Sequence, residues 1–332
     1  MISAKALGAM PHFVLHAAGS RALDRALTQA ELPHRFINQR DGYIPENSLA
    51  TFVSSAARSV GCENIGVMWA PSLTVADYGA WGRYVLSAPT LGTALRRSER
   101  AMPFHSSTDK ATLNVVGAKA FMRYQFSLPD HRAYTDIAFL AIGAVLSIFR
   151  FYLGSTWSPD TIWVDRPQPP HGENVEATFG CRCHWNSHHL AIEFATELLQ
   201  TEIPALDRVS PATMQDIARE RQSGPPKTFA GRAEAVIRSQ IDENRLSIER
   251  AAMILDTGVR TMQRRLAVEN TNFRSLTNRI LIDRAKELIL QKQYTITQLA
   301  SHLGYNSSNN FTRAFKEQTG LTPTQFWKLQ QD

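Results

Sequence analysis

One stretch near the carboxyl end decides the interpretation of the chain: Thr295–Trp327, TITQLASHLGYNSSNNFTRAFKEQTGLTPTQFW. Apolar residues recur there at helical spacing up to Gly304, and a second helical run follows with Phe311 and Phe315 on one face. The opposite face of the second run is polar and basic. Two short helices joined by a tight turn form a helix-turn-helix, whose second helix fits the major groove of DNA. The stretch therefore predicts a DNA-binding unit.

A second segment with the same plan lies upstream, between about residues 247 and 268. Ser247 is a suitable helix cap, the turn is Asp256-Thr257-Gly258, and a helix follows from Val259. A longer apolar helix, Phe273–Gln291, joins the two units. A connecting helix of about 16 residues is about 24 Å long. Both second helices could then contact successive major grooves, about 34 Å apart, from one chain.

The polar faces of the two second helices are the candidate DNA-contacting surfaces. Gln263 and Arg264 in the first unit have the chemistry to pair with adenine and guanine edges. Asn309 and Arg313 are the corresponding candidates in the second unit. Arg260 lies on the same outer face as Gln263 and Arg264. Other polar side chains are expected mainly on the phosphate backbone, which positions the protein without specifying sequence: Arg265, Ser307, Ser308, Asn310, Thr312 and Lys316. The alternative is that these faces are merely solvated.

The distribution of charge supports an anionic partner for the last third of the chain. Overall composition is ordinary for a soluble globular protein, with 43% hydrophobic and 20% charged residues in a chain of 332. This length favours two domains. Residues 228–332 carry 15 Lys and Arg against 10 Asp and Glu, whereas residues 1–227 carry 21 against 20. Most of the net charge of +6 therefore lies in the C-terminal part.

Cysteine usage and hydropathy predict a cytoplasmic protein without a membrane partner. Three cysteines in a chain of this length do not suggest a disulfide framework. The N-terminal MISAKALGAMP lacks the apolar core of a signal peptide, so export is not expected. The most lipid-like segment, Ile137–Phe149, has 13 residues. A membrane-spanning helix needs about 20 residues, so we expect a buried core helix there.

The first two thirds of the chain mix helical and strand patterns, which favours an α+β domain with an antiparallel sheet. The predicted helices are Arg21–Ala30, Asn47–Val60, Thr90–Arg100 and Tyr134–Leu153. The predicted strands are Ala111–Val116 and Ala120–Leu128, which form a hairpin, and Thr161–Asp165 and Glu176–Phe179. His189–Phe194 fits either a further strand or the start of a short helix.

A proline-rich segment, Gly224-Pro225-Pro226-Lys227, marks the clearest boundary, because it interrupts any helix. We therefore predict a first domain over residues 1–207, a linker over 208–227 and an all-α domain over 228–332. The last of these carries the two helix-turn-helix units, at about 247–268 and about 296–317, with the joining helix between them.

The C-terminal segment resembles the DNA-binding domain of the AraC/XylS family of bacterial transcription regulators. The resemblance covers about the last 100 residues of the chain and depends most on GY, FTRAFK and GLTPTQF within Gly304–Phe326. Two departures stand out: Asn270 occupies a position where the family commonly has Gly, and Trp327 one where Arg is usual. Neither lies on a predicted DNA-contacting face.

The N-terminal part is similar to the arabinose-binding-like ligand domain of a subset of these regulators, over roughly residues 20–205. The similarity is carried by GAWGRYVLSAPTLGTAL at Gly79–Leu95, by WSPDTIWV and by FGCRCHWN. It implies an effector-sensing and dimerisation domain, and not that arabinose is the ligand. The implied partners are double-stranded promoter DNA, a small-molecule effector, a second copy of the chain and RNA polymerase.

Aromatic and polar residues of the predicted sensor are candidates for an effector pocket, although core packing is the alternative for each. They are Trp69, Tyr78, Trp81, Tyr84, His105, Arg123 and Trp157, among which Trp81, Tyr84 and Arg123 are taken as ligand candidates. Cys181, Cys183 and His184, with His188 and His189 nearby, suggest a metal or thiol sensor at first sight. Their spacing is not that of a standard zinc site, so we predict neither a metal nor a cofactor.

Two other functions are compatible with a DNA-binding tail. One is an enzyme tethered to DNA, but GxSxG, P-loop, GxGxxG and HExxH motifs do not occur in the sequence. The other is a sensor of a protein partner that binds no small molecule. We favour a non-enzymatic, sequence-specific transcription regulator controlled by an effector.

Overall fold

The computed structural model describes residues 1–170, 172–204, 209–221, 224–243, 245–291 and 294–329. The chain divides into two compact units, Met1–Lys227 and Thr228–Asp332. The first unit contains both helices and strands, and the described part of the second contains helices. An α+β domain followed by an all-α domain was the predicted fold class, and it is confirmed.

The described residues of the first unit contain nine α-helices in addition to the strands. They are α1 (Met10–Ala18), α2 (Ser20–Gln29), α3 (Glu46–Val60), α4 (Ile65–Trp69), α5 (Ala80–Leu86), α6 (Leu91–Ala101), α7 (Tyr134–Leu153), α8 (Gly172–Phe179) and α9 (Met214–Glu220). Their ends follow ordinary capping chemistry: the Thr90 hydroxyl accepts a hydrogen bond from the Thr93 amide at the start of α6, and Gly61 closes α3 in the left-handed conformation.

In the part of this unit that the structure describes, seven strands form two sheets. They are β1 (Ile2–Ser3), β2 (Tyr43–Ile44), β3 (Lys110–Val116), β4 (Lys119–Gln125), β5 (Thr161–Trp163), β6 (Arg182–His184) and β7 (Leu190–Ala195). β1 and β2 pair with each other, and the main sheet has the order β3-β4-β7-β5-β6. The predicted hairpin is confirmed, with Val116 opposite Lys119 across a two-residue turn in which Gly117 has a φ of +60°.

In the main sheet the expectation of antiparallel strands holds for three of the four pairs, but β5 and β6 are parallel. Parallel neighbours need a crossover, and α8 provides it. The predicted strand Glu176–Phe179 was therefore wrong: those residues lie within α8, where Val175 and Phe179 are buried one helical turn apart. His189–Phe194, for which two structures were open, falls largely in the central strand β7.

Helix α7 is the central element of the first unit. By length and composition it alone, among the helices of the described ranges, could cross a membrane, yet 56% of its most apolar window is buried inside the protein. Gly66 in α4 and Gly143 in α7 permit close backbone approach on this side, since a Cβ on Gly143 would lie 2.3 Å from the Ala70 carbonyl oxygen. The predicted core helix is therefore confirmed.

Part of the segment predicted as linker, residues 208–227, is ordered against the first unit. It contains α9, which begins with a capping box between Thr213 and Asp216. Ile217 in this helix is fully buried. Arg208, Gln222 and Ser223 of the predicted linker, and residues 205–207 at the predicted end of the first domain, lie outside the described residues. The proline-rich Gly224–Lys227 ends the unit.

The second unit has seven helices in its described part: α10 (Phe229–Asp242), α11 (Ile248–Ile254), α12 (Val259–Val268), α13 (Phe273–Leu290), α14 (Ile296–His302), α15 (Ser308–Thr319) and α16 (Pro323–Leu329). They form two separate apolar cores. Leu276 and Ile280 of α13 belong to the first core, with α10, α11 and α12, whereas Ile282 and Leu288 belong to the second, with α14 and α15. The joining helix thus contributes one segment to each core.

We expect Gly143→Ala to destabilise the first unit selectively. The added methyl group would meet the backbone of Ala70, which cannot rotate away. Overpacking of this kind costs about 1–3 kcal/mol, which exceeds the gain of about 1 kcal/mol from replacing a helical glycine by alanine. Thermal unfolding of the full chain, followed by calorimetry, measures the effect.

Gly258→Ala is the matched control for this prediction, because no atom lies within 4 Å of its Cβ position and the residue belongs to the second unit. The transition assigned to the first unit should move to lower temperature in Gly143→Ala and stay in place in Gly258→Ala. An unchanged transition in Gly143→Ala would contradict the close contact between α7 and Ala70.

Candidate DNA-contacting helices and sensor cavity

The two helix-turn-helix units present their second helices in equivalent ways. In the first, the amide of Thr257 donates to the Ala252 carbonyl over 2.9 Å, after Asp256 with a φ of +51°. In the second, the amide of Tyr305 donates to the Ala300 carbonyl over 2.9 Å, after Gly304 with a φ of +78°. A left-handed residue followed by this hydrogen bond is a Schellman turn. One backbone geometry therefore ends α11 and α14.

Equivalent positions on α12 and α15 carry the candidate DNA-contacting residues. Arg264 is the sixth residue of α12, and Arg313 is the sixth residue of α15. The inward positions also match: Met262 and Leu266 are fully buried in the first core, as are Phe311 and Phe315 in the second. The aligned burial means that both arginines lie on the side of their helix that faces away from its core.

On α12 the predicted side chains are exposed, but they do not share one environment. Arg260, Gln263 and Arg264 are exposed on the helix surface. Arg265, also exposed, has its guanidinium 5.2 Å from the centre of the Phe229 ring at the start of α10. This cation–π contact draws Arg265 toward the beginning of α10.

On α15 the predicted set is more mixed. Asn309, Arg313 and Lys316 are exposed, whereas Ser308 and Thr312 are half-buried. Arg313 donates from Nη2 to Oδ1 of Asn310 over 3.4 Å, which is a long contact between exposed side chains. The cap of α15 is the Ser307 hydroxyl, which accepts from the Asn310 amide over 3.2 Å.

Backbone hydrogen bonds and one ion pair connect α10 to the end of α12 and to α13. The Glu269 carboxylate, just after α12, accepts hydrogen bonds of 2.8 Å from the amides of Phe229 and Ala230. Those hydrogen bonds hold the pKa of Glu269 below its usual value. Arg279 of α13 pairs with Glu234 of α10. Next to Glu269, Asn270 has a φ of +53°, a conformation that Asn tolerates, so its replacement of the usual family Gly is conservative.

The first unit contains a narrow apolar cavity of about 70 Å³ between α7, the main sheet and the segments around α5 and α6. This volume is below that of most small-molecule sites, about 300–1,000 Å³, so a ligand must be slender or must displace side chains of the lining. The sheet contributes Ala111, Met122 and Tyr124, and the loop after α6 contributes Met102 and His105. The aliphatic wall is one face of α7: Ile137, Leu140, Ala141, Ala144, Val145 and Ile148.

An aromatic cluster forms one part of the cavity wall. Tyr78 and His105 are stacked, with ring centres 5.1 Å apart, and Trp81 lies 5.7 Å from His105. Nδ1 of His105 is buried without a hydrogen-bond partner. Burial, with the positive charge of Arg221 nearby, lowers the pKa of His105 to about 3, so its imidazole is neutral at physiological pH.

Arg221, the residue that follows α9, is hydrogen-bonded to backbone carbonyls next to this aromatic cluster. Arg221 is 5% exposed and donates to the carbonyl oxygens of Phe104 over 2.9 Å and of Tyr78 over 3.0 Å. Glu220 accepts from the Ala80 amide over 2.8 Å at the start of α5. The end of α9 is thus tied to two segments that line the cavity.

Of the three ligand candidates, Trp81 lines the cavity and the other two lie elsewhere. Tyr84 borders a separate open cleft with Arg97, whose guanidinium lies 5.0 Å from the Tyr84 ring centre. Arg123 is half-buried on β4. Tyr78 and His105 line the cavity too, whereas Trp69 is buried in the core and Trp157 stacks on Phe149 at 4.8 Å. Sequence reasoning missed the α7 wall, because cavity-lining and core residues follow one apolar pattern.

The cysteine-rich segment is not arranged as a metal centre. Among the described residues, no group of three or more His, Cys, Asp or Glu side chains is placed to hold a metal ion. Burial raises the pKa of Cys181 to about 11 and that of Cys183 to about 12, which disfavours the thiolate form at neutral pH. His184 stacks on Trp163, with ring centres 4.5 Å apart.

Sequence models of known families match segments of both units. Residues 21–203 match the sequence model described as the arabinose-binding domain of AraC transcription regulators, N-terminal, which covers more than half of the chain. Residues 251–328 match a helix-turn-helix domain. The first match contains most of the residues that line the cavity, and the second begins within α11 and contains α12 to α15.

Several curated proteins with similar sequences are also regulators by name. The ornithine utilization regulator of Pseudomonas aeruginosa is 22% identical over 277 residues, which is 82% of this chain and 80% of the relative. The regulator VirS of Mycobacterium tuberculosis is 22% identical over 90% of this chain and 89% of its own length. The transcriptional activator CfaD of Escherichia coli is 36% identical over 67 residues, 20% of this chain and 25% of its own.

A crystal structure of the transcriptional regulator CdpR from Pseudomonas aeruginosa aligns with 93% of this chain and 97% of its own, with 20% identity and a TM-score of 0.40. The family assignment depends on the sequence models and not on this alignment. Both models match in the order that the fold requires, the ligand domain first and the helix-turn-helix domain second. The chain therefore belongs to the AraC family of DNA-binding transcription regulators, with an N-terminal ligand-binding domain.

Proposed function

We propose that this regulator binds promoter DNA through α12 and α15 together, and that a small molecule in the cavity of the first unit controls this binding. The observation that carries the proposal is the equivalence of Arg264 and Arg313, each the sixth residue of a helix whose opposite side is fully buried. A single chain then recognises two half-sites in tandem. Both arginines are exposed and have the geometry for bidentate pairing with guanine.

The first helix-turn-helix contributes more to sequence recognition in this proposal. Gln263 and Arg264 contact base edges, and Arg260 lies on the same exposed face. Arg265 contacts phosphate, which is supported by its position over Phe229, beside the base-contacting face. On α15, Asn309 and Arg313 contact bases, while Ser308, Thr312 and Lys316 contact the DNA backbone. The net positive charge of residues 228–332 supports an anionic partner.

Effector control would act through the hydrogen bonds that attach the end of α9 to the segments that line the cavity. The hydrogen bonds of Arg221 end on the carbonyls of Tyr78 and Phe104, next to the aromatic cluster of the cavity. A ligand that displaces Tyr78 or His105 would alter these bonds at the point where the chain leaves the first unit. The ligand changes DNA affinity only if it binds more tightly to the protein with these α9 hydrogen bonds altered than to the protein with them intact.

Three further features belong to the proposal on the strength of family membership. The chain acts as a homodimer, RNA polymerase is a partner at the promoter, and the protein resides in the cytoplasm. All relatives named above are regulators by name, which supports a non-enzymatic role. Light scattering of the purified chain, with and without DNA, tests the dimer.

Arg264→Ala should weaken binding to the cognate site by about 1–3 kcal/mol while leaving non-specific DNA binding nearly unchanged. The reason is that a bidentate contact to guanine is lost, whereas contacts to phosphate remain. Mobility-shift titrations on the selected site and on unrelated DNA, at one salt concentration, measure both affinities.

Arg284→Ala is the matched control, because Arg284 is an exposed arginine of the same unit whose Nη1 is bonded to Glu287 over 2.8 Å. It should change neither affinity. An equal loss on specific and unrelated DNA in Arg264→Ala would assign Arg264 to phosphate and reject the base contact.

Arg221→Met should uncouple the effector from DNA binding. A thermal-shift screen of metabolites on the full chain identifies a ligand, since binding to the folded state raises stability by mass action. That ligand should change DNA affinity by about 5- to 150-fold in the wild type, the usual range of allosteric coupling, and much less in Arg221→Met.

Arg219→Met is the control for this experiment, since Arg219 is exposed and pairs with Asp216 at 3.7 Å. Direct calorimetry should give similar ligand affinities for both variants and the wild type. Full retention of the DNA response in Arg221→Met would exclude the proposed path through α9, and a ligand without any effect on DNA affinity would exclude effector control.

A further inference from the structure

The shape of the cavity suits an elongated ligand. Its aliphatic wall follows α7 from Ile137 to Ile148, eleven residues along the helix, which is about 16 Å at 1.5 Å per residue. Ala141, Ala144 and Val145 line this wall and remain only half-buried, although they lie on the central helix of the unit. The cavity is therefore a space beside a helix, with small side chains at its middle.

The chemistry of the wall disfavours a charged ligand. The residues that line the cavity include no Asp, Glu, Lys or Arg. An ionised group transferred into such surroundings loses its hydration, and no charged side chain of the lining compensates this loss. Arg221, whose charge acts on His105, is not a lining residue, and it donates to the Phe104 and Tyr78 carbonyls. This cost disfavours an amino acid or the carboxylate of a fatty acid relative to an uncharged ligand.

The polar atoms of the wall are mostly engaged by the protein itself. Nε1 of Trp81 donates to the Ala101 carbonyl, the Ser98 hydroxyl donates to the Leu95 carbonyl, and the Tyr124 hydroxyl donates to Oδ2 of Asp109. His105 differs, since its buried Nδ1 has no partner. A sugar would therefore leave most of its hydroxyls unpaired in an apolar space, and each unpaired buried group is costly.

We propose that the effector is an elongated, uncharged and mainly aliphatic molecule with one hydrogen-bonding head group, which lies along α7 and places that group against His105. A long-chain alcohol represents this class. The inference deepens the proposed function and depends on it, because it names the effector class of the same cavity. An effector of this class differs from arabinose, from ornithine and from a free fatty acid.

Calorimetric titration of the full chain tests the inference with n-decanol as the probe and with decanoate, L-arabinose and L-ornithine as comparisons. n-Decanol should bind saturably, with one molecule per chain, and at least tenfold more tightly than decanoate at neutral pH. Decanoate has the same chain with a charged head, so this pair isolates the cost of charge. Tighter binding of decanoate or of either polar compound would overturn the inference, as would the absence of saturable n-decanol binding.

Ala141→Phe tests the location, because the added ring would occupy the middle of the cavity. n-Decanol affinity should fall more than tenfold. Ala118→Phe, at the exposed turn between β3 and β4, adds the same ring elsewhere and should leave the affinity unchanged. Equal affinities in the two variants would place the ligand outside this cavity.

His105→Leu tests the head group. Loss of one neutral hydrogen bond should weaken n-decanol binding about fivefold, while His105→Gln, which keeps a polar atom, should lose less. If both variants bind as the wild type does, the head group does not contact His105. Far-ultraviolet circular dichroism and unfolding of both variants establish that each is folded when the affinities are compared.

The outcome for this inference is separable from that for effector control. If n-decanol binds as described and DNA affinity does not change, the cavity assignment stands and effector control by it is rejected. If L-arabinose or L-ornithine changes DNA affinity and n-decanol does not bind, effector control stands and the proposed ligand class is overturned.

Discussion

The packing of α13 into two separate cores is the constraint on which the DNA-binding unit depends. Leu276 and Ile280 belong to one core, and Ile282 and Leu288 belong to the other. Both cores thus share one continuous helix of 18 residues, about 27 Å long. Because α12 is fixed in the first core by Met262 and α15 in the second by Phe311, the spacing of the two polar faces is set by a rigid element.

Helix α7 of the first unit also has two structural roles. α7 buries residues such as Phe139 and Phe149 in the core, and on another face it forms the aliphatic wall of the cavity. The glycine at position 143 lets the same helix approach Ala70 closely. Recognition of an apolar ligand therefore uses the chemistry that folds the unit. Specificity must come from the few polar groups at the cavity, of which His105 is the one with an unpartnered buried atom.

The sequence predicted what periodicity and capping encode locally. The hairpin at Lys110–Gln125, the core helix α7 and both helix-turn-helix units were predicted because each has a regular apolar pattern and a glycine or a cap at its ends. The crossover helix α8 was missed, because Glu176–Phe179 is too short to distinguish helix from strand by pattern. The cavity and the anchor at Arg221 join residues more than a hundred positions apart, and no local pattern encodes such contacts.

Selection of binding sites from random DNA tests whether one chain recognises two half-sites in tandem. Tandem recognition requires two different half-motifs in direct succession, about one helical turn or 10–10.5 bp apart. Affinity should be lost when about half a turn is inserted between them. Footprinting of a monomeric C-terminal unit, residues 228–332, should then protect both half-motifs. Protection of a single short motif, or indifference of affinity to the inserted half-turn, would contradict the account.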